Sequence, residues 1–184
     1  MPAGSIERTN ARKEEIINAC EKLYQTMSFK DITLKEIGKE TSFSRTSIYN
    51  YFQTKEEIFL ALLKREYDAW IRELCEATES EETMTDDQIA DVLARTLDNH
   101  RQLLKIMSMN HYDLEENSRM ELLVEFKVSY GNAMKTVMAM LAKFRKDMDF
   151  EKRQEFVYSF FLFMFGIYPY TVVTKKQKEA MKLA

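Results

Sequence analysis

The sequence is poor in the residues that punctuate sheets and loops, with 4 Gly and 2 Pro in 184 residues. It also has no run of alternating β-branched residues. That scarcity excludes a sandwich or barrel, which needs a turn signal roughly every 8–12 residues, and leaves an all-α chain. Cys20 and Cys75 are the whole cysteine complement. They offer no disulfide framework and read as packed small hydrophobes in a reducing compartment. Histidine is as scarce, and no HExxH, EF-hand loop, CxxC pair or Gly-rich phosphate loop is present. No metal, cofactor or catalytic set is therefore expected, and the chain does not read as an enzyme. His100 and His111 read as helix-end surface residues, with a metal pair or an effector contact as the alternatives. MPAGSIERTNARKEE has no apolar core of a signal peptide, so a cytoplasmic location is expected.

What is present is an ordinary globular balance, 45% hydrophobic and 31% charged, with a net charge of −3. The charge is divided unevenly. Residues 1–65 carry 11 Lys and Arg against 9 Asp and Glu, while residues 66–184 carry 16 against 21. A polyanion would therefore meet the N-terminal end.

Apolar residues at helical spacing mark a first helix through Ile16, Ile17, Cys20, Leu23, Tyr24 and Met27, capped at Thr9 or Asn10. Three short helices then begin close together. TLKE opens the second with a capping box between Thr33 and Glu36, Ser44 opens the third, and TKEE, from Thr54, opens a long fourth. The acidic stretch 76–87 reads as a linker or frayed helix end. Beyond it, residues 86–110 give two helices broken near Asp98, residues 118–146 a long helix, and Asp149 caps another. The expected division is a helix-turn-helix domain over 1–55 and a second domain over 56–184.

Helix, tight turn and helix let one helix brace across a duplex while the next lies in the major groove. Gly38 provides a small residue for the crossing, Ser42 stands where the turn is expected to need positive φ, and Phe43 and Ile48 face the core. Arg45, Thr46, Ser47, Tyr49, Asn50 and Tyr51 are left near the outer face. Arg suits guanine, Asn suits adenine, and the Thr methyl suits thymine. The tyrosine hydroxyls, the helix starts at Thr33, Ser44 and Thr54, and Lys55 suit phosphate oxygens.

The segment SRTSIYNYFQTKEE resembles the recognition region of the TetR family of bacterial transcriptional regulators, through Ser44, Tyr49, Tyr51, Phe52 and Lys55. TLKEIGKE resembles the second helix of the same family. The resemblance spans roughly residues 8–65. It implies that Tyr49, Tyr51 and Lys55 contact phosphate and that residues 45, 46 and 50 lie near base edges. It further implies an effector pocket in the C-terminal domain and a dimer built from the last long helices. The family usually has Gly where this chain has Ser42.

Large, adaptable side chains in the second half, among them Tyr67, Trp70, Met107, Phe126, Tyr130 and Met134, read as walls for an unidentified apolar or amphipathic small-molecule effector. Ordinary core is the alternative for each. The run 156–173 is long enough to touch the lower limit of a membrane span, but Gly166, Pro169, Ser159 and three Tyr interrupt it. It reads instead as a helix buried on two sides, with Phe156, Phe160, Phe163 and Ile167 at the interface of a homodimer. A purely intramolecular core helix is the remaining alternative. The expected function is a regulator, most readily a repressor, that binds a palindromic operator in double-stranded DNA and is released by its effector. The alternative is a helix-turn-helix co-regulator whose C-terminal domain binds another protein.

Overall fold

The computed structural model describes residues 3–109 and 111–184; residues 3–5, Arg45 and His111 are described in their backbone only. Among the described residues there are ten helices and no strand: α1 (Ala3–Thr26), α2 (Leu34–Lys39), α3 (Arg45–Ile48), α4 (Lys55–Glu79), α5 (Asp86–Asn99), α6 (Arg101–Met107), α7 (His111–Glu116), α8 (Met120–Phe144), α9 (Phe150–Thr171) and α10 (Lys175–Leu183). They fall into two compact units. One contains the residues up to Lys64 together with Tyr112–Phe126; the other contains Arg65–His111 and Lys127–Ala184. The sequence pattern did not place 112–126 with the N-terminal helices.

In the first unit α1 begins at Ala3, several residues before Thr9 and Asn10, because nothing after Gly4 opposes helix in IERTNARKEE. Its apolar stripe buries Ile16, Ile17, Cys20 and Tyr24, and Ile37, Ile48, Phe52 and Phe59 complete the same core. Tyr24 and Phe29 both set ring edges against Phe59, at 5.0 and 4.8 Å between centroids.

In the second unit Thr85 starts α5 with a reciprocal capping box to Gln88. Asp149 starts α9 by accepting the Lys152 N–H at 2.8 Å. The core here is aromatic. Trp70 lies 6.1 Å from Phe161, which meets Tyr130 edge-on at 5.5 Å, and Tyr130 meets Tyr67 edge-on at 5.7 Å. The Trp70 indole N–H is satisfied by the Thr96 hydroxyl at 3.0 Å, so burial of this polar atom costs little. Cys20 is buried as expected, whereas Cys75 is exposed on the outer side of α4. Among the described residues no single helix is long and apolar enough to cross a membrane.

Candidate functional site

The helix-turn-helix is built from elements too short to stand alone: α2 has six residues and α3 four. Isolated helices of that length are unstable in water. After Ile48 the backbone tightens into turns, with Asn50 N–H donating to the Ser47 carbonyl and Tyr51 N–H to the Ile48 carbonyl. The helix expected to open at Ser44 is therefore a single helical turn followed by tighter ones. β-branched Thr46 and Ile48 and two tyrosines give this stretch little helix propensity.

Side chains from outside brace it. The Glu15 carboxylate of α1 accepts the Ser42 N–H, and this bond is the chief reason its carboxyl is held below the ordinary range. Arg12 donates to the Ser42 hydroxyl at 3.3 Å and lies 4.5 Å over the Phe43 ring. Thr41 bonds the Gly38 and Phe43 carbonyls, each at 3.1 Å. No described residue other than glycine has positive φ. The expectation of a left-handed Ser42 is thus corrected. Contacts from α1 shape the turn, so no left-handed residue is needed.

The far end is held by Glu57 and Arg119. Glu57 is fully buried. It accepts the Gln53 N–H at 2.7 Å and, from Arg119, the backbone N–H at 3.1 Å and the guanidinium at 2.7 and 3.1 Å. Burial opposes its charge, but the bonds from Arg119 and Gln53 outweigh burial and leave the carboxyl below its ordinary value. The same guanidinium donates to the Tyr51 carbonyl at 2.8 Å. Beside it the Thr54 hydroxyl donates to the Asn117 carbonyl at 2.9 Å. The recognition segment thus ends in a clamp supplied from more than 60 residues downstream. In the sequence Glu57 is only the last residue of the TKEE capping signal, and nothing local points to Arg119.

Ile48 and Phe52 anchor the segment inward. Thr46, Tyr49 and Asn50 are exposed, Tyr49 to 46%. Ser47 is half-buried, and its hydroxyl pairs with that of Ser44 at 3.1 Å. Tyr51 is half-buried with its ring 6.3 Å from Phe43. The Arg45 side chain lies outside the described residues. Thr33 caps α2 by accepting the Glu36 N–H at 3.3 Å, but the Glu36 carboxylate takes the Thr33 hydroxyl and does not return to its backbone. Lys55 is already engaged: its ammonium donates to the Phe29 carbonyl at 2.8 Å and lies 4.1 Å over the Phe29 ring.

In the second unit Tyr67 meets Met107 and Tyr130, and Phe161 links Tyr130 to Trp70; Met134 is half-buried in the same unit, whereas Phe126 is buried in the first. Tyr67 donates to the Met107 sulfur at 3.3 Å, and burial, followed by the nearby Tyr130, pushes its phenol well up. A cavity of about 480 Å³ opens elsewhere in this unit, between α5, the end of α8 and the start of α9; none of the six predicted pocket residues lines it. His100 sits between two carboxylates of α4, 3.0 Å from Glu73 and 3.6 Å from Glu66, and the His111 side chain lies outside the described residues. Of the residues expected at a dimer interface, Phe156 and Phe163 are exposed, while Phe160 and Ile167 are half-buried. Phe160 is drawn inward toward Trp70, at 6.4 Å. The outward face of α9 instead runs through Tyr158, Leu162, Phe163, Gly166 and Tyr170.

Comparison with known proteins agrees with this architecture. Residues 16–62 match the family profile described as bacterial regulatory proteins, tetR family, and residues 64–184 match that described as tetracyclin repressor-like, C-terminal domain. An uncharacterized HTH-type transcriptional regulator, YfiR of Bacillus subtilis (strain 168), is 30% identical over 78 residues. That match takes in 42% of this chain and only 38% of the relative. The solved structure of the fatty acid degradation regulator FadR from Bacillus halodurans superposes with a TM-score of 0.52 at 16% identity, covering 93% of this chain and 85% of that one, a likeness of fold. With a helix-turn-helix at its N-terminus and the family's two domain profiles together spanning most of its length, the chain belongs to the TetR family of DNA-binding bacterial transcriptional regulators.

Proposed function

We propose that the protein is a ligand-responsive repressor that binds a palindromic operator as a homodimer, in the cytoplasm, and is released by a small apolar or amphipathic effector. In this reading residues 1–55 read DNA, and residues 56–184 bind the effector and the second subunit. The observation that carries it is the polar face at 46–50. Thr46, Tyr49 and Asn50 are held outward by two side chains, Ile48 and Phe52, that are sealed in the core. Arg45, Thr46 and Asn50 then meet base edges, and Thr33, Ser44, Ser47, Tyr49, Tyr51 and Lys55 meet the backbone.

Dimerisation is supported by the outward face of α9. Leu162 is 71% and Tyr170 84% exposed in the single chain, and a Cβ at Gly166 would meet nothing within 4 Å. An apolar face of this extent calls for cover, and a glycine without an internal reason suits close approach by a partner's helix. Two recognition segments would then enter successive major grooves about 34–36 Å apart. An effector releases DNA only if it binds the released state more tightly than the bound one.

Selection of random duplexes by the purified protein at near-physiological salt tests the reading. Enrichment of a two-fold symmetric site is expected; salt-sensitive retention with no motif would overturn sequence-specific repression. On the selected site, Arg45→Ala should relax base preference by about 1–3 kcal/mol. Lys55→Ala should weaken all sequences alike and flatten the salt slope by about one unit. An unchanged slope would mean that Lys55 serves only to hold Phe29.

A further inference from the structure

The cavity between α5, α8 and α9 has a two-sided chemistry. Its floor is Ile89, Leu93, Leu141, Met148 and Phe156, and its charged rim is formed by Asp86, Arg145, Asp147 and Lys152. About 480 Å³ is within the range that holds a small-molecule ligand. The four rim charges differ in how they are held. Arg145 is the most enclosed, its side chain 29% exposed, while the carboxylates on it, Asp86 and Asp147, are 70% and 69% exposed. Asp147 takes Arg145 Nε and Nη2 in a fork at 2.9 and 2.8 Å, whereas Asp86 meets Nη1 alone. A mostly solvated carboxylate on one nitrogen is a displaceable partner. Lys152 stands on the same rim with its ammonium 3.7 Å from Asp149, longer than a hydrogen bond. An incoming anion would find a fixed guanidinium edge and a nearby ammonium above an apolar floor. A cationic head would be repelled by both, and would find the rim carboxylates Asp86 and Asp147 already engaged by Arg145.

The cavity also adjoins the aromatic core. Phe156, on its floor, stacks on Phe160 at 5.8 Å and 12° between planes, and Phe160 lies 6.4 Å from Trp70 of α4. A chain lodged against Phe156 presses on that stack, and interiors packed like crystals pass such a displacement on rather than absorb it. Trp70 is the sole tryptophan of the chain, so its emission reports this contact.

We propose that this cavity is the effector site and that it takes an amphipathic carboxylate, with its head on Arg145 and Lys152 and its alkyl chain over Leu93, Leu141 and Phe156. The assignment rests on the ligand-responsive reading above for its regulatory meaning, but not for binding itself.

Decanoate, below its micellar concentration, and decyltrimethylammonium form a matched pair of probes with opposite heads. Calorimetry on the full chain, together with Trp70 emission, is expected to show saturable decanoate binding at least tenfold tighter than that of the cation. Ala90→Phe, which fills the cavity and keeps all four charges, should weaken decanoate at least tenfold. Arg145→Gln should reduce the preference for the anionic head. Equal binding of the two heads, no decanoate binding, or binding that Ala90→Phe leaves unchanged would each overturn the site. Operator release is then measured against each variant's own DNA affinity. If an effector still releases the Ala90→Phe protein, this site is overturned and the regulator reading stands. If the unliganded protein selects no operator, that reading fails, and calorimetry still decides the cavity.

Discussion

The two units hold themselves together by different means. In the helix-turn-helix unit the joints between short helices are fastened by charged side chains on backbone groups: Glu15 on the Ser42 amide, Arg119 on the Tyr51 carbonyl, and Lys55 on the Phe29 carbonyl. In the second unit long helices are locked by rings, from Trp70 through Phe161 and Tyr130 to Tyr67. The difference follows from element length. Helices of 22 and 25 residues present several turns of apolar surface, so burial does most of the fixing and ties such as Lys143 on the Thr78 and Glu79 carbonyls add to it. A four-residue helix presents about one turn, so its ends must be tied individually. Directional ties fix orientation, which a DNA-reading surface needs; ring packing joins the long helices so that a displacement at one ring is passed on to the next.

The sharpest break of that comparison is in the ring-packed unit. Phe161 is 2% exposed and contacts Trp70, Phe160 and Tyr130, so Phe161→Ala should cost about 3–5 kcal/mol. Amide hydrogen exchange should rise across 65–109 and 127–171 while 34–64 keeps its protection. Loss of protection spread evenly through both would show that the two do not stabilise separately.

The mirror experiment is Arg119→Ala, which strands the buried Glu57 carboxylate. Breaking a buried pair costs about 3–5 kcal/mol, but the Arg119 side chain is 40% exposed, so about 2–3 kcal/mol is expected here. Glu57→Gln should cost less, since the released guanidinium can turn to water. Exchange at Tyr51, Phe52 and Gln53 reads both variants. Equal cost for the two would mean that the pair acts as a surface contact.

Much of this was legible in the sequence, and what was not has a common cause. The helix periods, the caps at Thr33, Thr54 and Asp149, and the recognition motif are local signals, each written within a few residues. Arg119 was not legible because its partners Glu57 and Tyr51 lie 62 and 68 positions away. The turn was misjudged for the same reason: Ser42 avoids positive φ through contacts 27 and 30 residues upstream in α1. On α9 the apolar residues surround the helix, so periodicity gives no orientation and does not separate its inward row from its outward one. Phe160 and Ile167 turn partly inward, while Tyr158, Leu162 and Tyr170 face out.

Acid separates the two kinds of fastening most gently. Glu57 and Glu15 are both held below their ordinary carboxyl value of 4.5, so the stability they add is complete above that pH and is lost as pH falls through their lowered values. Asp147 follows the same sign from a lower start: Arg145 holds it at about 2 against an ordinary 3.8, so its smaller, solvent-screened contribution survives further into acid. Acidification from pH 5 to pH 3 should therefore loosen 40–57 before it disturbs the join between α8 and α9. Glu15→Gln offers the finest cut. The amide keeps an acceptor for the Ser42 N–H but loses the charge, and at a partly exposed site that is worth about 0.5–1 kcal/mol. Exchange at the Ser42 amide should rise a few-fold at pH 7, with the wild-type difference shrinking toward pH 3 as Glu15 itself protonates. A difference that stays constant with pH would assign the brace to shape alone, and the contrast between charged ties and packed rings would then rest on Glu57 and Arg119.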